Sequence, residues 1–83
     1  MELSQAGTIE SNDCLVMISP SEKLVIEIES IVFEKFGNAI EQVVRDVLNE
    51  QKTICKVKVV DKGAYDYTVR ARVITALRRA KNE

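Results

Sequence analysis

The segment Leu24-Val25-Ile26-Glu27-Ile28-Glu29 indicates the fold class, because a strand pattern here leads directly into a helical one. Its leucine and isoleucines face one way, while the valine and the two glutamates face the other, which predicts a strand with one buried and one wet face. Ser30 is then placed to cap a helix from about Ile31 to Gln51. The apolar residues of that helix follow steps of three and four: Phe33, Phe36, Ile40, Val43, Val44, Val47 and Leu48.

Strand and helix patterns continue on both sides of this unit. Upstream, Thr8–Glu10 and Cys14–Ile18 read as a hairpin joined by Ser11-Asn12-Asp13, whose side chains favour turns. Downstream, Ile54–Val60 alternates as a fourth strand, and a final helix follows over about Ala64–Ala80. The predicted order is therefore β-β-β-α-β-α. We expect an α+β fold with a small, mainly antiparallel four-stranded sheet and both helices packed on one face.

Composition limits the function classes. The chain has 83 residues, 46% of them hydrophobic and 30% charged, with a formal net charge of −1. A single domain spanning residues 1–83 is expected, and the small net charge gives no field that would select nucleic acid or an anionic membrane. No apolar run reaches the roughly 18 residues of a membrane span, and no secretory signal is visible. We therefore expect a cytoplasmic protein, with no membrane and no nucleic acid among its partners, in which Cys14 and Cys55 are reduced thiols.

Catalytic and metal chemistry finds little support in the sequence. There is no histidine, so the usual general base is missing, and neither a Ser-Lys pair nor a carboxylate pair stands out. The three glycines are scattered and form no phosphate loop. Two isolated cysteines without histidine do not make a zinc site. We predict no catalytic residues and no metal ligands.

Ser11 is the main candidate site residue. It lies at the tip of the predicted hairpin, where exposure and flexibility suit modification by another enzyme. Without a base to activate it, it is a poor nucleophile for catalysis. The alternative is that Ser11 serves only the turn, as serine often does. Glu10 and Asp13 are candidate recognition charges for a modifying enzyme.

Other polar residues have structural interpretations beside functional ones. Cys14 has no basic neighbour in the sequence and is expected to be inert and half-buried, and Cys55 shares the core phase of its strand. Arg70 falls within the apolar arc of the last helix, where it is either paired with a carboxylate or placed to clamp a phosphate. Arg72 and Arg79 face solvent and could meet an acidic partner. Cross-strand pairs are expected on the open sheet face, between Glu27 and Glu29 on one strand and Lys56 and Lys58 on another.

Three segments of the chain, in the same order, resemble the acyl carrier protein (gamma subunit) family of citrate lyase. The likeness covers most of the chain, and three ordered segments are more specific than any one of them. Tyr65 and Tyr67 stand where members of that family often have leucine and cysteine. The segments are Ala6-Gly7-Thr8-Ile9-Glu10-Ser11 with Asp13 and Ile18-Ser19-Pro20, then Phe36-Gly37, then Asp61-Lys62-Gly63-Ala64 with Asp66 and Arg70-Ala71-Arg72.

The resemblance implies a role as a carrier. In that family the serine matching Ser11 holds a phosphoribosyl-dephospho-coenzyme A group through a phosphodiester bond, which would make the chain a phosphoprotein. The thiol of this arm carries acetyl and citryl as thioesters between an alpha subunit (a CoA-transferase) and a beta subunit (a citryl lyase) during citrate fermentation. A prosthetic-group transferase attaches the arm. The resemblance thus implies a non-catalytic acyl carrier domain over residues 1–83.

Two kinds of alternative remain open at this point. An equivalent carrier of citramalate lyase or malonate decarboxylase would use the same arm. A non-carrier protein-interaction domain would carry no group on Ser11.

Overall fold

The computed structural model describes residues 1–31 and 33–83, and the side chains of all of these except 33 and 34. The elements follow the predicted order β-β-β-α-β-α. They are β1 (Ser4–Gly7), β2 (Cys14–Ser19), β3 (Val25–Ser30), α1 (Phe33–Glu50), β4 (Lys56–Asp61) and α2 (Asp66–Ala80).

The four strands form one mixed sheet in the order β1-β2-β4-β3. The pairs β1–β2 and β2–β4 are antiparallel, whereas β3 and β4 are parallel. The parallel pair arises because α1 carries the chain back to the start of the sheet before β4 begins, as a helical crossover does. The expectation of a mainly antiparallel sheet is confirmed, with one parallel pair at the β3 edge.

Both helices pack on one face of the sheet, as predicted. The inward side chains of β2 and β4 are fully buried there and meet apolar side chains of α1 and α2. Fully burying a valine or leucine side chain contributes about 1.5–3 kcal/mol, so this layer supplies most of the stability. Its central members are Val16, Ile18, Val44, Val47, Val57, Val59, Val69, Val73 and Leu77.

The first strand lies earlier in the chain than the sequence predicts. A strand over Thr8–Glu10 is wrong, because pairing with β2 ends at Gly7, which lies opposite Leu15. Gly7 has a φ of 94°, and this left-handed conformation turns the chain out of the ladder. Besides pairing with β2, the strand β1 is bonded to α2. The Ser4 hydroxyl donates to the carbonyl of Ala76 (2.6 Å), and Arg79 donates to the carbonyl of Gln5 (2.8 Å).

The helices begin two residues later than predicted. The predicted capping of α1 by Ser30 lies outside the described residues, because residue 32 is not among them. Ser30 is the last residue of β3, and its hydroxyl donates to Asp61 at 2.8 Å. At α2, Tyr65 occupies the cap position and helical structure starts at Asp66. Asp66 in the first turn and arginines in the last suit the helix dipole.

Most of the predicted apolar positions of α1 face the core. Ile40, Val44, Val47 and Leu48 are buried, and Val43 packs against them partly buried. The side chain of Phe33 lies outside the described part of the chain. Phe36 differs from the prediction, because its side chain is 51% exposed.

The other face of the sheet carries part of the predicted charge pairing, since Glu29 lies opposite Val60 rather than a lysine. Lys56 and Glu27 form an ion pair with 3.5 Å between nitrogen and oxygen, and the strand register places Glu27 directly opposite Lys58. The Lys56–Glu27 pair is close to half exposed, so it contributes at most about 1 kcal/mol. Among the described residues, no helix is both long and apolar enough to cross a membrane.

A hairpin loop that presents Ser11

Ser11 lies in the connection between β1 and β2, residues 8–13, which we call the serine loop. The Asp13 amide donates to the carbonyl of Glu10 (3.2 Å), closing a four-residue turn with Ser11 and Asn12 at its centre. Asn12 has a φ of 65°, a left-handed conformation that asparagine tolerates better than most residues. The predicted turn at Ser11-Asn12-Asp13 is therefore confirmed, and Ser11 stands at its apex.

The hydroxyl of Ser11 is available for reaction. Its residue is exposed, and within residues 1–31 and 33–83 no hydrogen bond engages its hydroxyl oxygen. A modifying enzyme would therefore reach this oxygen without first breaking a hydrogen bond to any described residue.

Asp13 holds the base of the serine loop. Its carboxylate accepts hydrogen bonds from the Thr8 hydroxyl (2.8 Å) and the Cys14 amide (2.7 Å). Arg72 of α2 donates to both oxygens, with Nε at 3.1 Å and Nη2 at 3.0 Å. This two-point contact fixes the orientation of the Asp13 carboxylate and compensates its charge, so the loop is anchored to the last helix.

The same contacts determine the ionisation of Asp13. Burial alone would raise the pKa of its carboxyl, but hydrogen bonds from Arg72, Cys14 and Thr8 outweigh burial and lower that pKa below its ordinary value. The side chain of Asp13 is only 16% exposed, and its charge is met by Arg72. Asp13 is thus poorly suited to the predicted role of a recognition charge, whereas Glu10 remains exposed.

A second attachment joins the serine loop to the turn between β4 and α2. The Asn12 amide donates to the carbonyl of Lys62 (2.8 Å), and the Lys62 amide donates to the carbonyl of Asp13 (2.9 Å). The Asn12 side chain lies beside Gly63, since its Oδ1 would be 3.7 Å from a Cβ atom at that position. The two sequence segments that resemble the carrier family at its beginning and end therefore meet in space.

The cysteines are structural. Cys14 is fully buried rather than half-buried, and burial, together with the charges of Asp13 and Asp61, raises the pKa of its thiol to about 12. Burial also raises the pKa of Cys55. Full burial and the raised pKa support the prediction that Cys14 is inert, because such a thiol has little thiolate at neutral pH.

Arg70 and Arg72 of α2 have roles that differ from the importance the sequence analysis gives them. Arg70 is exposed rather than set within the apolar arc of α2. It binds Glu50 with two hydrogen bonds of 3.2 and 2.6 Å, as the structural pairing with a carboxylate predicts. Arg72, placed by the helical pattern on a wet face, is the residue that anchors Asp13. Asp13 and Arg72 are 59 positions apart in the chain, and no periodicity in the sequence indicates that they form a pair. In the described part of the chain, no cluster of three or more His, Cys, Asp or Glu could hold a metal ion.

Stability at low pH should report the Asp13–Arg72 contact. Since the pKa of Asp13 is lower in the folded chain, folding gains stability above the unfolded value of about 3.9, and that gain is lost as pH falls through the folded value. We expect Asp13→Asn to cost about 1–2 kcal/mol near pH 7, because bonds to charged groups are strong but Arg72 is partly exposed. Urea unfolding between neutral and acidic pH measures both effects.

The matched control for this experiment is Glu22→Gln, at an exposed acid of the turn before β3. It should leave the neutral-pH midpoint unchanged and preserve the acid dependence of the parent. An Asp13→Asn chain whose stability falls with acid as steeply as the parent's would contradict the assigned contact.

Comparisons with known proteins show which family this chain resembles over nearly its whole length. The family described as ACP, malonate decarboxylase delta subunit (MdcD), matches residues 2–80. The citrate lyase acyl carrier protein of Treponema denticola is 50% identical over 78 residues, which are 93% of this chain and 90% of that protein. Its counterpart in Streptococcus pyogenes serotype M5 is 42% identical over 78 residues, 90% of this chain and 76% of that protein.

A solved structure shares the fold. A chain in the crystal structure of a Pseudomonas malonate decarboxylase hetero-tetramer in complex with malonate superposes with a TM-score of 0.83. The alignment covers 95% of this chain and 84% of that chain at 18% sequence identity. At this identity the likeness supports the fold alone.

The chain belongs to this family of acyl carrier proteins, a non-catalytic class whose members carry a prosthetic group. Within the family, the two relatives described above are both citrate lyase acyl carrier proteins.

Proposed function

We propose that this chain is the acyl carrier subunit of a citrate lyase and that Ser11 is the attachment site of its prosthetic group. The observation that carries the proposal is the exposed hydroxyl of Ser11, which stands at the apex of an anchored loop and forms no hydrogen bond with the described residues. The identity of 50% with the carrier of Treponema denticola supports the choice of complex.

The local structure fits a covalently held group. Phosphodiester formation needs an accessible hydroxyl oxygen, and Ser11 offers one with no competing hydrogen bond from the described part of the chain. Asp13 and Arg72 hold the loop base, so the attachment point keeps its position relative to α2 while the group itself extends into solvent. When bound, a phosphoribosyl-dephospho-coenzyme A arm supplies a terminal thiol that carries acyl groups as thioesters.

The chain's own task is to present this arm to other subunits. With no histidine in the sequence, the chemistry falls to partners: an alpha subunit that acts as CoA-transferase and a beta subunit that acts as citryl lyase. Tethering raises the effective concentration of the acyl group at both active sites to about millimolar for short flexible links. We further propose that residues 1–83 act as a single carrier domain. Two free, buried cysteines suit the reducing cytoplasm that we propose for the complex.

A carrier role in malonate decarboxylase is the second candidate. The matching family is described by a subunit of that enzyme, and the structural neighbour is a chain of a malonate decarboxylase hetero-tetramer. A citramalate lyase would use an equivalent carrier. The carrier surface alone does not select the acyl substrate, because that choice is made in the catalytic subunits. A third possibility is an interaction domain without a prosthetic group.

Reconstitution distinguishes these candidates. The loaded chain, mixed with citrate lyase alpha and beta subunits from the same host, should restore cleavage of citrate to oxaloacetate and acetate. It should not restore malonate decarboxylation when mixed with the other malonate decarboxylase subunits. The reverse pattern would identify a malonate decarboxylase carrier, and cleavage of citramalate alone would identify the related lyase. Turnover of citrate by this chain without partners would contradict a carrier role.

A further inference from the structure

An open pocket lies beside the serine loop, between the beginning of α1 and the turn that leads into α2. Its volume is about 540 Å³, within the usual range of small-molecule sites. Apolar side chains make up most of its wall, and Phe36, Ile40, Tyr65 and Tyr67 are the large ones. The carboxylate-bearing residues Asp61 and Asp66 also line it.

The aromatic side chains of this pocket are not used by the core. Tyr65 and Tyr67 stack on each other with ring centroids 5.5 Å apart and planes 8° from parallel. Their residues are 67% and 71% exposed, and Phe36 is 51% exposed. Ordinary core packing would bury such rings. A flat, exposed, pre-stacked pair is instead a suitable platform for another flat ring, as in proteins that stack nucleic-acid bases on aromatic side chains.

The pocket adjoins the predicted attachment site. Gly63 lines the pocket, and the side chain of Asn12 lies against Gly63. Asn12 is the residue after Ser11, and its amide is bonded to the carbonyl of Lys62 in the same turn. A long, flexible group on Ser11 would therefore begin one residue away from a contact with the pocket wall.

We propose that this pocket holds the adenine ring of the arm on Ser11, stacked on the Tyr65–Tyr67 pair with Phe36 as the opposite wall. The inference rests on the proposed function, since the arm supplies the purine. Adenine matches the flat aromatic faces better than the thin pantetheine chain does, and the carboxylate of Asp66 can accept a hydrogen bond from its exocyclic amine. A dissociation constant of about 1 mM suffices for half occupancy, because the tether holds the ring at about that effective concentration.

Docking of the base would shorten the mobile part of the arm. The pantetheine end, with its thiol, would remain free to reach the partner subunits, while the nucleotide end would stay against the carrier. The pocket would thus set where the swinging part of the arm begins.

Tyrosine fluorescence tests this proposal directly, because the chain has two tyrosines and no tryptophan. Both tyrosines are in the pocket, so their emission reports this site alone. The chain is purified from cells fermenting citrate, and its loading at Ser11 is verified by mass. We expect its tyrosine emission to be about half or less of that of unloaded Ser11→Ala chain, since base stacking at half occupancy or more quenches the rings. NMR signals of adenine H2 and H8 should shift relative to those of free dephospho-coenzyme A.

Two variants act as a matched pair. Phe36→Ala, which removes one wall, should restore most of the emission in the loaded chain. Ile54→Ala changes a residue that is 62% exposed and lines a different pocket, so it should leave the quenching intact.

The outcomes separate this inference from the proposed function. Loading at Ser11 with tyrosine emission and adenine shifts equal to those of the unbound molecules would overturn the docking proposal and leave the carrier role standing. Tyrosine signals that change only when partner subunits are added would assign the pocket to a protein contact and also overturn the proposal. An unmodified Ser11 in cells fermenting citrate would overturn the carrier role and the docking proposal together.

Discussion

Ser11→Ala is expected to abolish both loading of the chain and the citrate-cleaving activity of the complex assembled with it. The substitution removes the oxygen that we propose for the phosphodiester bond. The Thr8 hydroxyl, also in the serine loop, is engaged by Asp13 at 2.8 Å. Folding should be preserved, because changes at exposed sites without contacts usually alter stability by no more than about 0.5 kcal/mol. The measurements are intact mass, activity of the reconstituted complex and the unfolding midpoint.

Ser21→Ala provides the matched control for this experiment. Ser21 also lies in a turn, between β2 and β3, where its hydroxyl accepts a hydrogen bond from the Lys23 amide (3.2 Å). Its alanine variant should be loaded normally and should support full activity. A complex that retains activity with Ser11→Ala would contradict the carrier account and favour an interaction domain.

Gly7→Ala is expected to destabilise the whole chain by about 2–5 kcal/mol. A Cβ atom at this position would lie 1.9 Å from the backbone carbonyl oxygen of Cys14 and 3.1 Å from Cδ of Arg72. Forcing atoms into packed structure costs about 1–3 kcal/mol, and the left-handed φ of 94° adds about 1–2 kcal/mol for alanine. A chain of this size is stable by only about 4–12 kcal/mol, so the thermal midpoint should fall by about 10 °C or more.

Gly63→Ala separates the clash from the backbone strain. Gly63 has the same φ of 94°, but a Cβ atom there would meet neighbours at 3.7 and 3.9 Å, which is ordinary contact. This variant should lose only the strain component, about 1–2 kcal/mol. Equal losses for the two variants would show that the close approach of β1 to β2 is not what requires glycine at position 7.

The parts of the fold that follow from local pattern could be predicted from the sequence. Strict alternation identified β3 and β4, and three- and four-residue steps identified α1, because burial on one face imposes these periods. The first strand escaped prediction since Ser4-Gln5-Ala6-Gly7 has no β-branched or large apolar residue. It is a strand because it pairs with β2 and bonds to α2, which are tertiary contacts.

The candidate site likewise has a local part that could be predicted from the sequence and a part that depends on tertiary contacts. The turn at Ser11-Asn12-Asp13 is a local feature and could be predicted from turn chemistry. The anchoring of Asp13 by Arg72 could not, because it joins residues 59 positions apart. The stacked Tyr65–Tyr67 pair could not be predicted from the sequence either. The sequence pattern places Tyr65 inside the last helix, whereas α2 begins at Asp66 and both rings stack in solvent.

The attachment of the arm to Ser11 should be measured by intact mass with fragmentation, on the chain purified from its native host during citrate fermentation. We expect an added mass equal to one phosphoribosyl-dephospho-coenzyme A unit, located on Ser11 and absent from every other serine. A chain of unmodified mass, or an added group located elsewhere, would contradict the assignment of Ser11 as the attachment site.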